Sequence, residues 1–209
     1  MTSLENLFHR DWYLSENPDV ELFAGDPLEH YKLFGWREGR SPHPLFDTHN
    51  YLAVEPECSA RDIDPLTHYI TVGWRKLRTP HPLFSAAGYL LRNKDLLLAD
   101  VEPWQHYLFH GWREGRSLHP LFDIGWYLKM YKDVAEADID PLSHYIHIGW
   151  KEGRVPHPAF SPSWYARTYL ADNETNPWLD YVLTGWKEGR HPHPKFDGTW
   201  YHEQYLDPV

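Results

Sequence analysis

A six-residue segment, Gly35-Trp36-Arg37-Glu38-Gly39-Arg40, returns along the whole chain and limits what the chain can fold into. It recurs as Gly73-Trp74-Arg75-Lys76-Leu77-Arg78, Gly111-Trp112-Arg113-Glu114-Gly115-Arg116, Gly149-Trp150-Lys151-Glu152-Gly153-Arg154 and Gly185-Trp186-Lys187-Glu188-Gly189-Arg190. The leading glycines are spaced by 38, 38, 38 and 36 residues. A period of this length marks a repeat array, in which one supersecondary unit cannot bury its apolar face alone and neighbours must stack. Function is therefore expected on the surface of the array and not in one catalytic cluster.

The punctuation inside the period predicts two helices per unit. Phe8, Phe46, Phe84, Phe122, Phe160 and Phe196 open the units, and Asp47, Ser85, Asp123, Ser161 or Asp197 follows in most of them as the N-cap of a first helix, A. Tyr127 with Tyr131, Tyr165 with Tyr169 and Tyr201 with Tyr205 are four residues apart and share a helix face. Asn17-Pro18 ends this helix in the first unit, because proline disfavours helical geometry in the residue before it. A second helix, B, starts at Asp26-Pro27, Asp64-Pro65, Glu102-Pro103, Asp140-Pro141 and Asn176-Pro177, where proline suits the first helical position. Leu66, Tyr69, Ile70 and Gly73 then read as one buried α-helical face. The glycine either admits a neighbouring helix or forms a left-handed cap, and both readings stay open.

Alternating prolines follow, as in Pro42-His43-Pro44 and Pro80-His81-Pro82, and predict an extended strap leading to the next unit. The expected fold is all-α: a right-handed-type helical-hairpin solenoid of five two-helix repeats, near 6–43, 44–81, 82–119, 120–157 and 158–193, joined by Pro-rich extended straps. A terminal helix is expected within 194–209, and the array over 1–209 reads as a single domain.

Composition narrows the function. The net charge of −10 argues against a sequence-independent grip on nucleic acid, which needs a basic surface. The single cysteine, Cys58, excludes an intramolecular disulfide and a cysteine-based zinc cluster. No apolar run approaches the roughly 18 to 20 residues that span a bilayer, and no secretion signal opens the chain, so the cytoplasm is the default compartment. The 11 tryptophans and 14 tyrosines concentrate the apolar surface in a few large rings.

Three recurring residue types carry candidate chemistry. Arg40, Arg78, Arg116, Arg154 and Arg190 form a ladder that suits an extended anion, while pairing with Glu38, Glu114, Glu152 and Glu188 explains the same recurrence. Trp36, Trp74, Trp112, Trp150 and Trp186 read as core between repeats. Trp126 and Trp164 sit where other units place Asn50 and Gly88, which argues for partial exposure and makes them candidates for stacking on sugars. Histidine recurs on helix B at His30, His68, His106 and His144, and in the straps at His43, His81, His119, His157 and His193. Zinc is one reading of these histidines. The last helix B, however, has Asp180 in that place, and buried imidazoles that link backbone groups of adjacent repeats account for the pattern without metal. No catalytic motif and no cofactor signature is present, so an enzyme is not expected.

The composite pattern, best seen from Asp26 to Asp47 and around Asp123 to Asp140, resembles a bacterial tandem repeat. Similar repeats are attached to glycosyltransferases of cell-surface polysaccharide synthesis, such as rhamnan synthesis F-type proteins, and to large surface proteins. The resemblance covers nearly the whole chain but no glycosyltransferase catalytic domain. Lys76-Leu77, Leu118 and Asp180 depart from the pattern. The resemblance implies association with glycan assembly or the cell envelope. The leading expectation is a non-catalytic scaffold that tethers a protein partner or a fused glycosyltransferase domain. The alternative is a carbohydrate-binding array in which Trp126, Trp164 and the arginines contact an acidic polysaccharide.

Overall fold

A computed structural model describes residues 4–99, 101–172 and 174–195. Among these residues the fold is all-α, with the helix pairs of the repeat recurring in order and no strand beyond one isolated bridge between His43 and Phe46. The chain divides into two compact units, Met1–Gly111 and Trp112–Val209. The expected terminal helix lies outside the described residues.

Helix A is Arg10–Glu16, Thr48–Val54, Ala86–Arg92, Ile124–Met130 and Pro162–Tyr169. Asp47, Ser85 and Asp123 cap three of these helices by accepting from the amides of Asn50, Gly88 and Trp126 at 2.9, 3.0 and 2.9 Å. His9 substitutes in the first repeat, its Nδ1 accepting from the Trp12 amide at 3.2 Å. Ser161 makes no such side-chain bond, and Pro162 opens that helix with no amide to satisfy.

A third helical piece, absent from the two-helix expectation, follows helix A in four repeats. It spans Pro18–Leu22 as a 3-10 turn, and Glu57–Arg61, Lys94–Leu97 and Lys132–Glu136 as α-turns. The chain stops helix A where the sequence says it should, at Asn17, and then winds again.

Helix B starts as expected, with Asp26, Asp64, Glu102, Asp140 and Asn176 each accepting from first-turn amides. After four α residues it widens into a π-turn in every repeat: Tyr31–Gly35, Tyr69–Gly73, Tyr107–Gly111, Tyr145–Gly149 and Tyr181–Gly185. The amides of Trp36, Trp150 and Trp186 accordingly donate five residues back, to the carbonyls of Tyr31, Tyr145 and Tyr181, at 3.0 to 3.1 Å. One added residue in the turn rotates the rest of the helix, so the 3.6-residue pattern does not hold to its end. Tyr69 and Gly73 are buried, whereas Ile70 is only half-buried.

The two recurring glycines have separate tasks. A Cβ on Gly35, Gly73, Gly111 or Gly185 would fall 2.1 Å from the hydroxyl oxygen of Tyr13, Tyr51, Tyr89 or Tyr165, and one on Gly149 would fall 2.5 Å from that of Tyr127. The first glycine therefore exists to admit the helix A tyrosine. The second closes the helix with φ of +71° to +78° at Gly39, Gly115, Gly153 and Gly189. Around Gly39 the Arg40 amide bonds the Gly35 carbonyl at 2.9 Å and the Gly39 amide bonds the Trp36 carbonyl at 3.1 Å, the paired bonds of a Schellman cap. Leu77 takes the same backbone conformation at φ +55° without glycine's freedom.

The straps contain a turn. His43-Pro44-Leu45-Phe46 is closed by the Phe46 amide donating to the His43 carbonyl at 2.9 Å, and the same bond recurs at His81, His119 and His157. The strap also folds back on the repeat it ends: the amides of His9, Asp47 and Ser161 donate to the carbonyls of Pro42, Pro80 and Pro192 at 2.9, 2.8 and 2.9 Å.

Stacking within each unit is aromatic. In the first unit Trp104, at the second position of helix B, has its ring 5.4 Å from His43, 5.6 Å from Phe46 and 5.6 Å from Tyr69. The Tyr69 hydroxyl donates to Glu102, the N-cap of the same incoming helix, at 2.6 Å. In the second unit Trp178 meets His119, Phe122 and Tyr145 at 5.6, 5.7 and 5.7 Å, and its indole N–H donates to the Leu121 carbonyl at 2.9 Å. Each tryptophan is fully buried and fills a socket made by the preceding repeat and the strap that leads into it. Burial of a ring this size contributes about 3 kcal/mol, which a short repeat needs to stay folded.

Candidate functional site

The residues that recur from repeat to repeat are the candidate site, and the structure places most of them in bonds internal to the array. The helix B histidines are tied to the helix A tyrosines of the same repeat. Tyr13 meets His30 at 3.0 Å, Tyr51 meets His68 at 2.9 Å, Tyr89 meets His106 at 3.0 Å and Tyr127 meets His144 at 3.1 Å, each from hydroxyl to Nδ1. This corrects the expectation that these imidazoles link backbone groups of adjacent repeats. The partner is a side chain seventeen residues earlier, close because the first glycine leaves the hydroxyl room. Burial raises the hydroxyl pKa of Tyr13, Tyr51 and Tyr127, so these groups stay neutral at physiological pH.

The strap histidines do bond backbone, but inside their own turn. Nδ1 of His43, His81, His119, His157 and His193 accepts from the amide two residues on, at 2.9, 3.1, 3.0, 3.0 and 3.1 Å. That bond fixes the tautomer, with the proton on Nε2. Desolvation pushes the pKa of His43 well down and that of His81 to about 4, which keeps both neutral acceptors. Among the described residues no group of three or more His, Cys, Asp or Glu is arranged to hold a metal ion.

The fifth repeat departs from this arrangement. Tyr165 donates instead to Asp180 at 2.6 Å, and Arg190 reaches the same carboxylate at 2.9 Å and the hydroxyl at 3.4 Å. The third helical piece, which supplies acids to two of the other arginines, has no counterpart among the described residues of this repeat. Asp180 therefore fills both the histidine's place beside the tyrosine and the acid's place beside the arginine.

The five ladder arginines are held by carboxylates of their own repeats. Arg40 grips Asp19 with two bonds of 2.8 and 2.7 Å, and its Nε is 2.6 Å from Glu38. Arg154 does the same with Asp133 at 3.0 and 2.6 Å and with Glu152 at 2.5 Å. Arg116 bonds Glu114 at 2.5 Å, Arg190 bonds Glu188 at 2.6 Å in addition to Asp180, and Arg78 pairs with the buried Glu55. Hydrogen bonds from Arg40 and Arg154 hold the Asp19 and Asp133 carboxyls below their usual pKa. The neighbouring glutamates were legible from the period. Asp19, Glu55, Asp133 and Asp180 were not: Asp19 and Asp133 share one place in the repeat, but Glu55 and Asp180 come from others, so no single register marks the acid.

The recurring tryptophans differ from one another in depth. Trp36 and Trp112 are buried, Trp74 and Trp150 are half-buried, and Trp186 is 48% exposed. The cation that follows each one lies over its ring, with the Arg37, Arg75 and Arg113 guanidinium carbons 4.4, 4.2 and 4.2 Å from the centroid. Trp126 and Trp164 are half-buried and meet Tyr131 and Tyr169 edge-on at 6.4 and 5.7 Å. Among the described residues no helix is long and apolar enough to cross a membrane. Comparison with protein-family models, with curated proteins and with solved structures gives no match for the chain.

Proposed function

We propose that the chain is a non-catalytic repeat scaffold that binds or tethers a protein partner, in the service of bacterial cell-surface glycan assembly as the repeat it resembles implies. The observation that carries this reading is the division of labour along the repeat. Polar groups that recur, the tyrosine–histidine pairs and the arginine–carboxylate clamps, are engaged inside the array. Large apolar side chains reach solvent where the residue changes from repeat to repeat: Leu22 and Leu98, exposed by 89% and 92%, share a place that holds Ala60 and Glu136 in other repeats, and Leu91 is 67% exposed. Apolar exposure of this degree is what a partner surface uses, and variation among repeats is what makes one partner specific.

A second reading, an array that binds acidic polysaccharide, draws support from Trp126 and Trp164, which take the same place in successive repeats and are half-open to solvent. The two readings part in one experiment. A photo-crosslinking residue at position 98 or 91 in cells should trap a discrete partner protein. Emission of the tryptophans should meanwhile stay unchanged when acidic or neutral bacterial polysaccharides are titrated in. A saturable glycan response that Trp126→Ala and Trp164→Ala abolish, with no crosslinked partner, would overturn the scaffold reading.

A further inference from the structure

We propose that the turn Arg75-Lys76-Leu77-Arg78 of the second repeat is a docking site for an acidic segment of a partner protein, one that carries an apolar side chain among its carboxylates. This deepens the scaffold reading, on which it rests, by naming the chemistry of one partner. Two residues, Lys76 and Leu77, set this turn apart from the other four.

The other turns hold a glutamate and a glycine in those places. Glu38, Glu114, Glu152 and Glu188 each meet the arginine two residues on at 2.5 to 2.6 Å, which neutralises charge inside the turn. Lysine there reverses the sign, so three of the four residues of the turn are cationic. Leu77 stands where a Cβ on Gly39, Gly115, Gly153 or Gly189 meets nothing within 4 Å, so a side chain at this place projects into open space. It is 48% exposed and holds a left-handed backbone, φ +55°, that leucine adopts only at a cost. Fold stability alone would favour glycine here, and strain of this kind gathers at sites of function.

Arg78 is turned outward as well. Its side chain is 42% exposed, against 14% to 24% for the other four ladder arginines. Arg40 and Arg154 spend both Nη groups on Asp19 and Asp133, whereas Arg78 meets the buried Glu55 through Nε. Among the described residues its two Nη groups bond nothing. An open guanidinium fork takes a carboxylate with two parallel bonds. Exposed Val54 precedes Glu55 as Leu77 precedes Arg78, so the ion pair brings two aliphatic residues to one fork. An acidic segment supplies carboxylates to Arg78 and Lys76, and its apolar side chain covers Leu77. An acidic polysaccharide supplies only the first of these.

The test compares the full chain with the variant Lys76→Glu, Leu77→Gly, which gives the second turn the residues of the other four. A melting temperature no lower than that of the unaltered chain checks that the variant folds. Fluorescence anisotropy of a fluorescein-labelled peptide, Glu-Asp-Glu-Leu-Glu-Asp, should show saturable binding to the unaltered chain, weakened by about tenfold or more in the variant. A peptide with Gln and Asn in place of the acids should bind the unaltered chain about tenfold more weakly, and added salt should weaken the acidic peptide. Equal binding of the acidic and neutral peptides, equal binding to the two chains, or no binding up to about 1 mM would overturn the proposal. So would binding of alginate or of phosphatidylserine vesicles that the variant loses while the peptide is unaffected. A partner crosslinked at position 98 in both chains, with no peptide bound, would remove this site and leave the scaffold reading.

Discussion

The fit of tyrosine against glycine in each repeat makes a quantitative prediction. In the second repeat a Cβ at Gly73 would stand 2.1 Å from the Tyr51 hydroxyl oxygen, with Tyr51 Cζ at 3.3 Å and Tyr69 Cδ2 at 3.4 Å. The ring cannot swing away, because Phe46, His68 and Tyr69 surround it at 5.4, 5.9 and 6.0 Å. Overpacking of this kind costs about 3 kcal/mol, offset by about 1 kcal/mol of better helix propensity for alanine, so Gly73→Ala should destabilise by roughly 2 kcal/mol. Tyr51→Phe removes the bond to His68 and should cost about 1.5 kcal/mol. If the sites were independent the double variant would lose about 3.5 kcal/mol. Because phenylalanine vacates the space the new methyl needs, the double variant keeps the helix-propensity gain without the clash and should lose only about 0.5 kcal/mol, a coupling of about 3 kcal/mol. Urea unfolding followed by far-UV circular dichroism, fitted with a nearest-neighbour repeat model, reads this directly. Additivity within about 0.5 kcal/mol would refute the steric account. Gly39→Ala is the control: its Cβ meets nothing within 4 Å, so it should show the left-handed penalty and no coupling to Tyr13.

Three further predictions follow from the same geometry. Leu77→Gly should stabilise the chain by about 0.5 to 1 kcal/mol, since a left-handed leucine costs about 1 to 2 kcal/mol and the added unfolded-state entropy of glycine returns part of it; thermal melts check this. Buried His81, with its pKa lowered to about 4, contributes stability that is complete above the unfolded value of 6.5 and is lost as pH falls from there towards 4. The loss amounts to about 3 kcal/mol, and His81→Asn, which keeps an acceptor for the Leu83 amide, should flatten that part of the pH–stability curve. Asp180→Ala strips Tyr165 and Arg190 of their shared acceptor and should cost about 2 kcal/mol, which Arg190→Met in the same chain should partly restore, as judged by urea midpoints.

Much of this molecule is local, and what is local was legible. The five acid- or amide-proline starts become helix N-termini because the capping oxygen, the amides it meets and the proline lie within four residues of each other. The repeat period itself implied that units stack. The π-turn escaped because nothing in the local pattern separates it from an α-helix. Tyr69, Ile70 and Gly73 satisfy the α spacing on paper, and only Tyr51 of helix A, arriving from 22 residues before that glycine, shows which of its faces is occupied.

The candidate residues divide along the same line. That the arginines and histidines recur is a property of the sequence; whom they bond is a property of the packed repeat. Histidine's partner is a tyrosine seventeen residues away, and arginine's acid comes from Asp19, Glu55, Asp133 or Asp180 according to the repeat. A side chain finds such partners only once the helices have been laid against each other, since distance in space and not register in sequence sets hydrogen bonding and charge pairing. The sequence by itself thus determined the period, the helix starts with their N-caps and the all-α class, all governed by a few adjacent residues. Tertiary structure alone decided which glycine admits a ring, which tryptophan fills a socket, and which distant carboxylate holds Arg40, Arg78, Arg154 and Arg190, because each of these depends on groups brought together from separate parts of the chain.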